Sequence, residues 1–360
     1  MDFVSRQYGL RRVAGKIRRR VKQLAGRPDN SPWILDPPPP RRTAHVDFVV
    51  ALDYLSPNSR LMHLFHEAMG ARGLSVLLVN STNVHPIMEQ IECGWLKPHV
   101  LVDLCSSTGN PFERLLHAAA RHGVYTMSRP EDLKWTLKAQ GHPALEQAGL
   151  PLPPTVILHA HEKDRELTSE ERQRISDHCV IKPSLSGANR GVVVDVPPTA
   201  EAITQARNFN RQTDWLIQRL IRWTKCGSRP GYLRGYNVCG HRTLLWWCRN
   251  GGIDTYHALT WKDLAHYDLM PAVNLLDRVA EVTAMDFFSV EIAILRESGP
   301  DRFCLIDYVN DQCDLDPQAH PDFSPPEPFT RWACERLADF VYRKKHGLPA
   351  EEHRGLFLVE

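Results

Sequence analysis

Residues 44 to about 130 alternate short apolar runs with segments of helical periodicity, and this pattern constrains the fold more than any other feature of the chain. Runs at 46–52, 74–79 and 100–104 are typical of strands. Between them, residues 60–72 and 111–122 carry apolar side chains at helical spacing. Strands that alternate with helices usually form a parallel sheet, so this stretch predicts an α/β domain built from βαβ units.

The segment 180–192 places a lysine beside a turn of small residues, between two β-rich runs. Ser186 opens the turn, and Gly187 and Gly191 can take backbone angles closed to other residues, so that main-chain N–H groups can face an anion. Lys182 adds a compact positive charge. The segment therefore predicts a phosphate-binding loop. A β-hairpin whose glycines only make the turn is the alternative that the local sequence leaves open.

Two strand-like runs late in the chain, 287–295 and 303–309, predict an antiparallel hairpin. Glu291 and Asp307 each lie eight residues from Gly299 at its turn. A symmetric pairing therefore places the two carboxylates opposite one another on neighbouring strands.

The facing carboxylates of Glu291 and Asp307 predict a magnesium site. Two such groups with no basic partner repel each other, and Mg²⁺ resolves the repulsion because it takes oxygen ligands and bridges carboxylates to nucleotide phosphates. Asn310 and Asp311 follow directly and supply an amide oxygen and a third carboxylate.

These motifs, in this order, resemble the ATP-grasp superfamily. In that family a lysine precedes by about eleven residues a Gly-x-Pro-x-Pro-x-Thr turn. Lys138 lies eleven residues before Gly149, which opens such a sequence after a helix expected at residues 129–148. A Lys-Pro strand with a small-residue loop follows in the family, and Lys182 occupies that place. The resemblance implies that both lysines hold the phosphates of ATP, whose charge of about four exceeds what one cation offsets.

The family also has a strand ending in Gln-Glu-x-Ile that holds adenine and ribose, and residues 215–221 stand in its place. Arg219 replaces the usual glutamate. The resemblance therefore implies that the base contacts involve Gln218 and the backbone of Arg219, Leu220 and Ile221, with the ribose contact elsewhere. A plain buried strand fits the same local sequence.

Arg234 and Arg249 stand where ATP-grasp ligases commonly have arginines, on two predicted strands joined near Gly240. The rigid donor fork of arginine can hold a transferring phosphoryl group or the carboxylate that attacks it. The resemblance implies this catalytic role for both residues, with Arg242 as a competitor.

The corresponding hairpin of the family binds two magnesium ions through an acid followed by Glu-x-Asn. Here one extra residue separates Asp307 from Asn310. The resemblance implies that Glu291 and Asp307 are metal ligands, and it leaves Asn310 and Asp311 as alternatives for the third.

The resemblance covers residues 45–320 and is nearest in style to glutathione synthetase and to ligases that add glutamate to a ribosomal protein. It implies a mixed α/β and α+β fold with a Rossmann-like pre-domain, a small lid and a C-terminal antiparallel sheet. The expected division is a basic helix and proline-rich linker at 1–43, the pre-domain at 44–130, the ATP-grasp domain at 131–320 with its lid at 150–220, and a C-terminal helix and tail at 321–360. The C-terminal amphipathic helix is expected at residues 329–346.

The net charge of +2 hides an asymmetry, because residues 1–27 contain nine Lys or Arg and one Asp. Apolar residues recur there at helical spacing, which predicts a basic amphipathic helix able to contact an anionic partner: RNA, a membrane surface or the acidic body of the same protein. No apolar run reaches the length of a membrane span and no signal peptide is evident, so we expect a cytoplasmic protein.

The function implied by the resemblance is ATP-dependent ligation of a small-molecule or peptide carboxylate to an amine through an acyl phosphate, with ATP and two Mg²⁺ ions as cofactors. Such catalysis needs positioning and charge neutralisation rather than a protein nucleophile. Two alternatives stay open. One is a scaffold that binds nucleotide without turnover, and the other is a kinase with a hydroxyl acceptor, for which the basic candidates are Lys225, Arg229, Arg234 and Arg242.

Overall fold

The computed structural model describes residues 43–53, 58–105, 111–127, 129–185, 190–250, 253–296, 302–318, 324–349 and 355–358, and at 249, 250, 253 and 254 the main chain alone. The predicted basic helix, Ser186 and Gly187 lie outside the described residues, as does the side chain of Arg249. Residues Thr43–Glu360 form one contact unit.

The first sheet is parallel, as the alternation of strands and helices predicts, with strand order β2-β1-β3-β4. From Phe48 to Ala51 the central strand is fully buried, because helices cover both faces of the sheet. The elements are β1 (Ala44–Ala51), α1 (Arg60–Gly70), β2 (Val76–Val79), α2 (Val84–Glu92), β3 (Leu96–Asp103), α3 (Phe112–Arg121) and β4 (Tyr125–Thr126).

The expectation of one helix over residues 129–148 is wrong. Leu137 has an extended backbone with φ −80° and ψ 96°, which interrupts the helical run and lets a new helix begin at Lys138. The segment consists of a 3₁₀ turn (Pro130–Asp132), α4 (Leu133–Thr136) and α5 (Lys138–Gln147).

The second sheet is antiparallel, with order β5-β8-β6-β7, and has the position expected for the lid. Its side chains alternate between two faces. Ile181, Trp215 and Ile217 are fully buried in the cluster that includes Ile175 and Ile203 of the covering helices. The elements are β5 (Thr155–Leu158), α6 (Ser169–Ile175), β6 (Cys179–Pro183), β7 (Val193–Val196), α7 (Ala200–Arg207) and β8 (Trp215–Arg219).

The third sheet has the order β13-β12-β11-β14-β15, in antiparallel pairs, and β16 adds to β12 in parallel. One face packs on α9, where Leu276 is fully buried with Leu233. The elements are the ribbon β9 (Lys225–Cys226) and β10 (Arg229–Pro230), then β11 (Tyr232–Val238), β12 (His241–Asn250), β13 (Ile253–Ala258), α8 (Trp261–His266), α9 (Met270–Thr283), β14 (Phe287–Ile294), β15 (Phe303–Asn310), α10 (Glu327–Lys345) and β16 (Leu356–Phe357).

The C-terminal helix predicted at residues 329–346 is present as α10. Leu337 and Val341 are fully buried and share a core cluster with Phe48 of the parallel sheet and Tyr236 of the third sheet. The helix therefore joins the two sheets through one continuous core. Among the described residues, no helix combines the length and apolarity needed to cross a bilayer.

Candidate active site

A cavity of about 560 Å³ is lined by residues of both antiparallel sheets, and its volume is in the usual range for small-molecule sites. It collects most of the residues that the sequence predicts for a nucleotide and metal site. Those that line it are Lys138, Lys182, Gln218, Arg219, Leu220, Ile221, Arg234, Glu291, Asp307, Asn310 and Asp311.

Lys182 reaches the cavity from β6, a central strand of the lid sheet. Strand alternation turns Ile181 into the lid core and Lys182 toward the opposite face. Its Nζ donates a hydrogen bond to the main-chain oxygen of Ile306 over 3.0 Å. Burial lowers the pKa of this amine to about 8, although Asp307 acts in the opposite direction. The lysine is therefore a buried cation that already has an anionic neighbour.

Lys138 is brought beside Lys182 by a capping interaction at the start of α5. The carbonyl oxygen of Ser184, two residues after Lys182, accepts from the Lys138 amide over 3.0 Å, and its hydroxyl accepts from the Ala139 amide over 2.9 Å. The Lys138 Nζ lies 3.4 Å from Oδ1 of Asp307. Both lysines thus face the same carboxylate.

Glu291 and Asp307 face each other across β14 and β15, as the symmetric hairpin predicts. The expectation that they lack a basic partner is wrong. Arg234 lies opposite Glu291 on β11, donates to its carboxylate, and also donates to the Ser289 hydroxyl over 3.0 Å. Burial alone would raise the pKa of Asp307, but Lys138, Lys182 and Arg234 together hold it below its usual value. Residues distant in sequence thus neutralise the carboxylate pair.

A β-bulge accommodates the extra residue between Asp307 and Asn310. Ser289 pairs with Asn310 and Glu291 pairs with Asp307, so two steps on β14 correspond to three on β15. A bulge of this kind realigns the following side chain. Asn310 therefore lines the cavity together with Asp307 despite the altered spacing.

Asp311 is 1% exposed, and its Oδ2 has no hydrogen-bond partner among the described residues. Burial, followed by the nearby charge of Asp103 at the end of β3, raises the pKa of Asp311 to about 7. No group of three His, Cys, Asp or Glu side chains in the described residues could hold a metal by itself. The oxygens of Glu291, Asp307 and Asn310 still fit Mg²⁺, which commonly takes one or two carboxylates and completes its shell with phosphates and water.

Two main-chain amides of the segment expected to contact a base already donate hydrogen bonds within the lid. The amide of Arg219 donates to Pro154 over 2.9 Å, and the amide of Leu220 donates to His178 over 3.1 Å. The Arg219 guanidinium donates to the carbonyl of Arg174 at the end of α6, with its Nε 3.0 Å away. The Arg219 side chain therefore stabilises the end of α6. The residue itself, the last of β8, also lines the cavity.

The loop after Lys182 closes a hairpin, because β6 pairs with β7. Gly191 has φ +77°, and a Cβ there would lie 2.5 Å from the Phe209 ring, so this position requires glycine. Its neighbour Val192 lines the cavity. The flanking strands thus form a hairpin, which both interpretations of this segment require, and Lys182 lines the cavity at its start.

Two other arginines were candidates for a catalytic role. Arg249 pairs through its main chain with Asp254 of β13. Arg242 hydrogen-bonds to Asp277 of α9 and is not among the residues that line the cavity. The competing catalytic role considered for Arg242 is therefore unsupported.

Sequence patterns alone missed an aromatic row across the third sheet. The register that pairs Leu233 with Trp246 sets Tyr232 beside Trp247, with ring centroids 5.4 Å apart, and Trp247 pairs with Tyr256. All three rings line the cavity. Pairing the strands symmetrically about the turn near Gly240 would have predicted the first of these contacts.

The comparisons with known proteins show no matching family model and no matching curated protein. Solved structures do match. A RimK-domain ATP-grasp protein from Sphaerobacter thermophilus is 18% identical, with a TM-score of 0.59 over 82% of this chain and 98% of its own. D-alanine–D-alanine ligase from Bacillus anthracis, in complex with ATP, is 13% identical, with a TM-score of 0.56 over 83% and 97%.

A third match is the ATP-grasp ligase PsnB in complex with a phosphomimetic variant of its minimal precursor, Mg and ADP. It is 12% identical, with a TM-score of 0.52 over 83% of this chain and 99% of that chain. Similarity at this level of identity concerns the fold alone. The protein therefore has the ATP-grasp fold, with a sequence divergent from these examples.

Proposed function

We propose that the protein is an ATP-dependent ligase that joins a carboxylate to an amine through an acyl phosphate. One observation carries the proposal: Lys138 and Lys182 converge on the same cavity as Glu291, Asp307 and Asn310. A phosphate chain with its metal requires both cations, for the phosphate oxygens, and oxygen ligands, for the metal. The similar structures with bound ATP, or with Mg and ADP, support the assignment of these ligands.

In the proposed first step, an oxygen of the substrate carboxylate attacks the γ-phosphorus of ATP. The bond from that phosphorus to the β-bridging oxygen breaks, and ADP leaves with the electron pair. Lys138 and Lys182 offset the phosphate charge, while Arg234 and Arg249 orient the transferring group. Glu291, Asp307 and Asn310 would hold Mg²⁺, which would supply positive charge against the charge that develops on the phosphate oxygens.

In the second step, the amine nitrogen attacks the acyl carbon and forms the amide. The carbon–oxygen bond to phosphate breaks, and phosphate leaves with that electron pair and the proton lost by the amine. Base binding is assigned to Gln218 on β8 and to Ile221 just beyond the end of that strand, where the amides of Arg219 and Leu220 are already engaged. The residues of the chain act by holding and orienting the reactants.

The products formed from ATP and the two substrates test the proposal. Purified protein is incubated with ATP, Mg²⁺ and pools of acids and amines, and the products are identified by mass. A ligase gives ADP, phosphate and an amide, and it transfers ¹⁸O from a labelled carboxylate to phosphate. A phosphorylated hydroxyl would instead indicate a kinase, and tight ATP binding without ADP would indicate a scaffold.

Matched variants locate the reaction in this cavity. Lys182→Ala and Asp307→Asn should abolish product while leaving the fold intact, as judged by circular dichroism. Exposed Lys262→Ala, outside the cavity lining, serves as the control. Unchanged turnover in both cavity variants would refute the site assignment.

A further inference from the structure

The cavity face of the third sheet carries two rows of different chemistry. Arg234, Glu291 and Asp307 lie side by side on three successive strands and form the charged row. Tyr232 precedes Arg234 by two residues on β11, and strand alternation places both on the same face. The aromatic row, formed by Tyr256, Trp247 and Tyr232, extends from β11 toward β13, whereas the charged row extends from β11 toward β15. The two rows meet on β11, where Tyr232 and Arg234 are two residues, or about 7 Å, apart.

The aromatic row is a continuous apolar wall that ends at the rim of the cavity. The Trp223 ring meets Tyr232 edge-on, with centroids 6.0 Å apart, and is 41% exposed. Trp247 is 5% exposed at the other side of Tyr232. A planar apolar group that enters past Trp223 would thus meet the rings of Tyr232 and Trp247 in turn.

Two buried donors mark the junction between the rows. The Nε1 of Trp247 and the Nε of Arg234 have no hydrogen-bond acceptor among the described residues. The Arg234 guanidinium also lies 5.8 Å from the centroid of the Trp247 ring. Each of these two nitrogens has almost no accessible surface, so a bound acid would meet the Trp247 ring and the rest of the Arg234 guanidinium instead.

We infer that the acid activated here carries an aromatic ring, which packs on the row of Tyr232, Trp247 and Tyr256 while its carboxylate lies beside Arg234. The inference rests on the proposed function, since it concerns the substrate of the same site. The separation of about 7 Å between Tyr232 and Arg234 favours an arylalkyl acid with a short linker over benzoate. An aliphatic acid of the same head group would leave the aromatic wall uncovered.

Calorimetric titration tests this with 3-phenylpropanoate and propanoate, each in the presence of ADP and Mg²⁺. Burial of the ring should make 3-phenylpropanoate bind roughly 30-fold tighter than propanoate. Trp247→Leu should lose at least about tenfold in affinity for the aryl acid and little for propanoate. Tyr232→Leu, at a half-buried position, is the second variant if Trp247→Leu does not fold. Trp261→Leu, a half-exposed tryptophan outside the cavity lining, is the matched control.

Equal affinity for the two acids, or equal losses for both in the aromatic variants, would overturn the inference. So would selective binding of tetramethylammonium to the row, which would indicate a cage for a cationic amine. The proposed function is decided separately by ADP release. If no acid supports ADP release, ligation fails, whereas ADP release with aliphatic acids alone would leave ligation standing and refute only the aromatic substrate.

Discussion

The Nζ of Lys182 donates a hydrogen bond to the main-chain oxygen of Ile306 over 3.0 Å, so that a lysine of the lid sheet is tied to a strand of the third sheet. The same amine lies 5.4 Å from the centroid of the Tyr308 ring. Its charge is therefore balanced by β15 before any phosphate arrives. In the proposed function, a nucleotide must compete with β15 for this cation, which makes Lys182 the most informative residue to test.

Replacement of Lys182 by Met should weaken nucleotide binding by roughly 30- to 100-fold, because a charge-assisted contact to phosphate is lost. The fold should persist, since methionine fills similar volume without the cost of a buried charge. Titration of ADP with Mg²⁺ measures the effect, and exposed Lys262→Met is the control. Wild-type affinity in Lys182→Met would mean that phosphates bind elsewhere.

Nucleotide affinity should fall as the pH rises above about 8, where Lys182 loses its proton in the ligand-free protein. The dissociation constant is expected to rise up to about tenfold per pH unit. Stability should change in the opposite sense. The unfolded chain, with a lysine pKa of 10.5, binds more protons between pH 8 and 10.5, so the free energy of unfolding should increase across that window.

Lys182→Arg provides the control for this pH dependence, since arginine keeps its charge throughout the range. Its nucleotide affinity should be nearly constant from pH 7 to 9.5, whatever its absolute value. The same slope in Lys182→Arg as in the wild type would show that another group titrates.

Arg234 and Glu291 should be strongly coupled in stability, because their side chains are only 7% and 17% exposed. Arg234→Met, which strips Glu291 of this partner, should cost about 3–5 kcal/mol, and the double variant with Glu291→Gln should cost clearly less than the sum of the single changes. Urea denaturation measures all four proteins. The surface pair Arg60 and Glu327 should show much weaker coupling, and equal coupling in both pairs would contradict the prediction.

Asp311→Asn should stabilise the ligand-free protein at pH 8 by roughly 1–3 kcal/mol. The folded protein holds a proton on this carboxyl up to about pH 7, whereas the unfolded chain loses it near 3.8, so stability due to this group falls as pH rises between those values. Thermal denaturation at pH 5 and pH 8 tests this, because the gain at pH 5 should be less than half of the gain at pH 8. Exposed Asp177→Asn should change neither value, and a gain of equal size at both pH values would exclude the titration.

Local patterns predicted those parts of the site that lie within one hairpin or one strand. The opposition of Glu291 and Asp307 followed from equal distances to the turn, since an antiparallel pairing needs only the position of its turn. The aromatic pair of Tyr232 and Trp247 could have been predicted in the same way.

Contacts between elements distant in sequence were not predictable in this manner. The helix expected across residues 129–148 breaks at Leu137, and Ser184 caps the new helix from 45 residues away. Arg219 replaces the glutamate that the family usually has at the strand expected to bind the base. In the structure, its side chain stabilises the end of α6.

The sequence by itself determined the order of strands and helices, the hairpin of the two carboxylates and the presence of two lysines, because periodicity and turn position are local properties. Only the tertiary structure decided which charges meet. Lys138 and Arg234 neutralise Asp307 and Glu291, and Asp103 raises the pKa of Asp311, because sheet order and domain packing bring these residues together. Electrostatic energies depend on distance and burial, which the fold sets and a linear pattern does not contain.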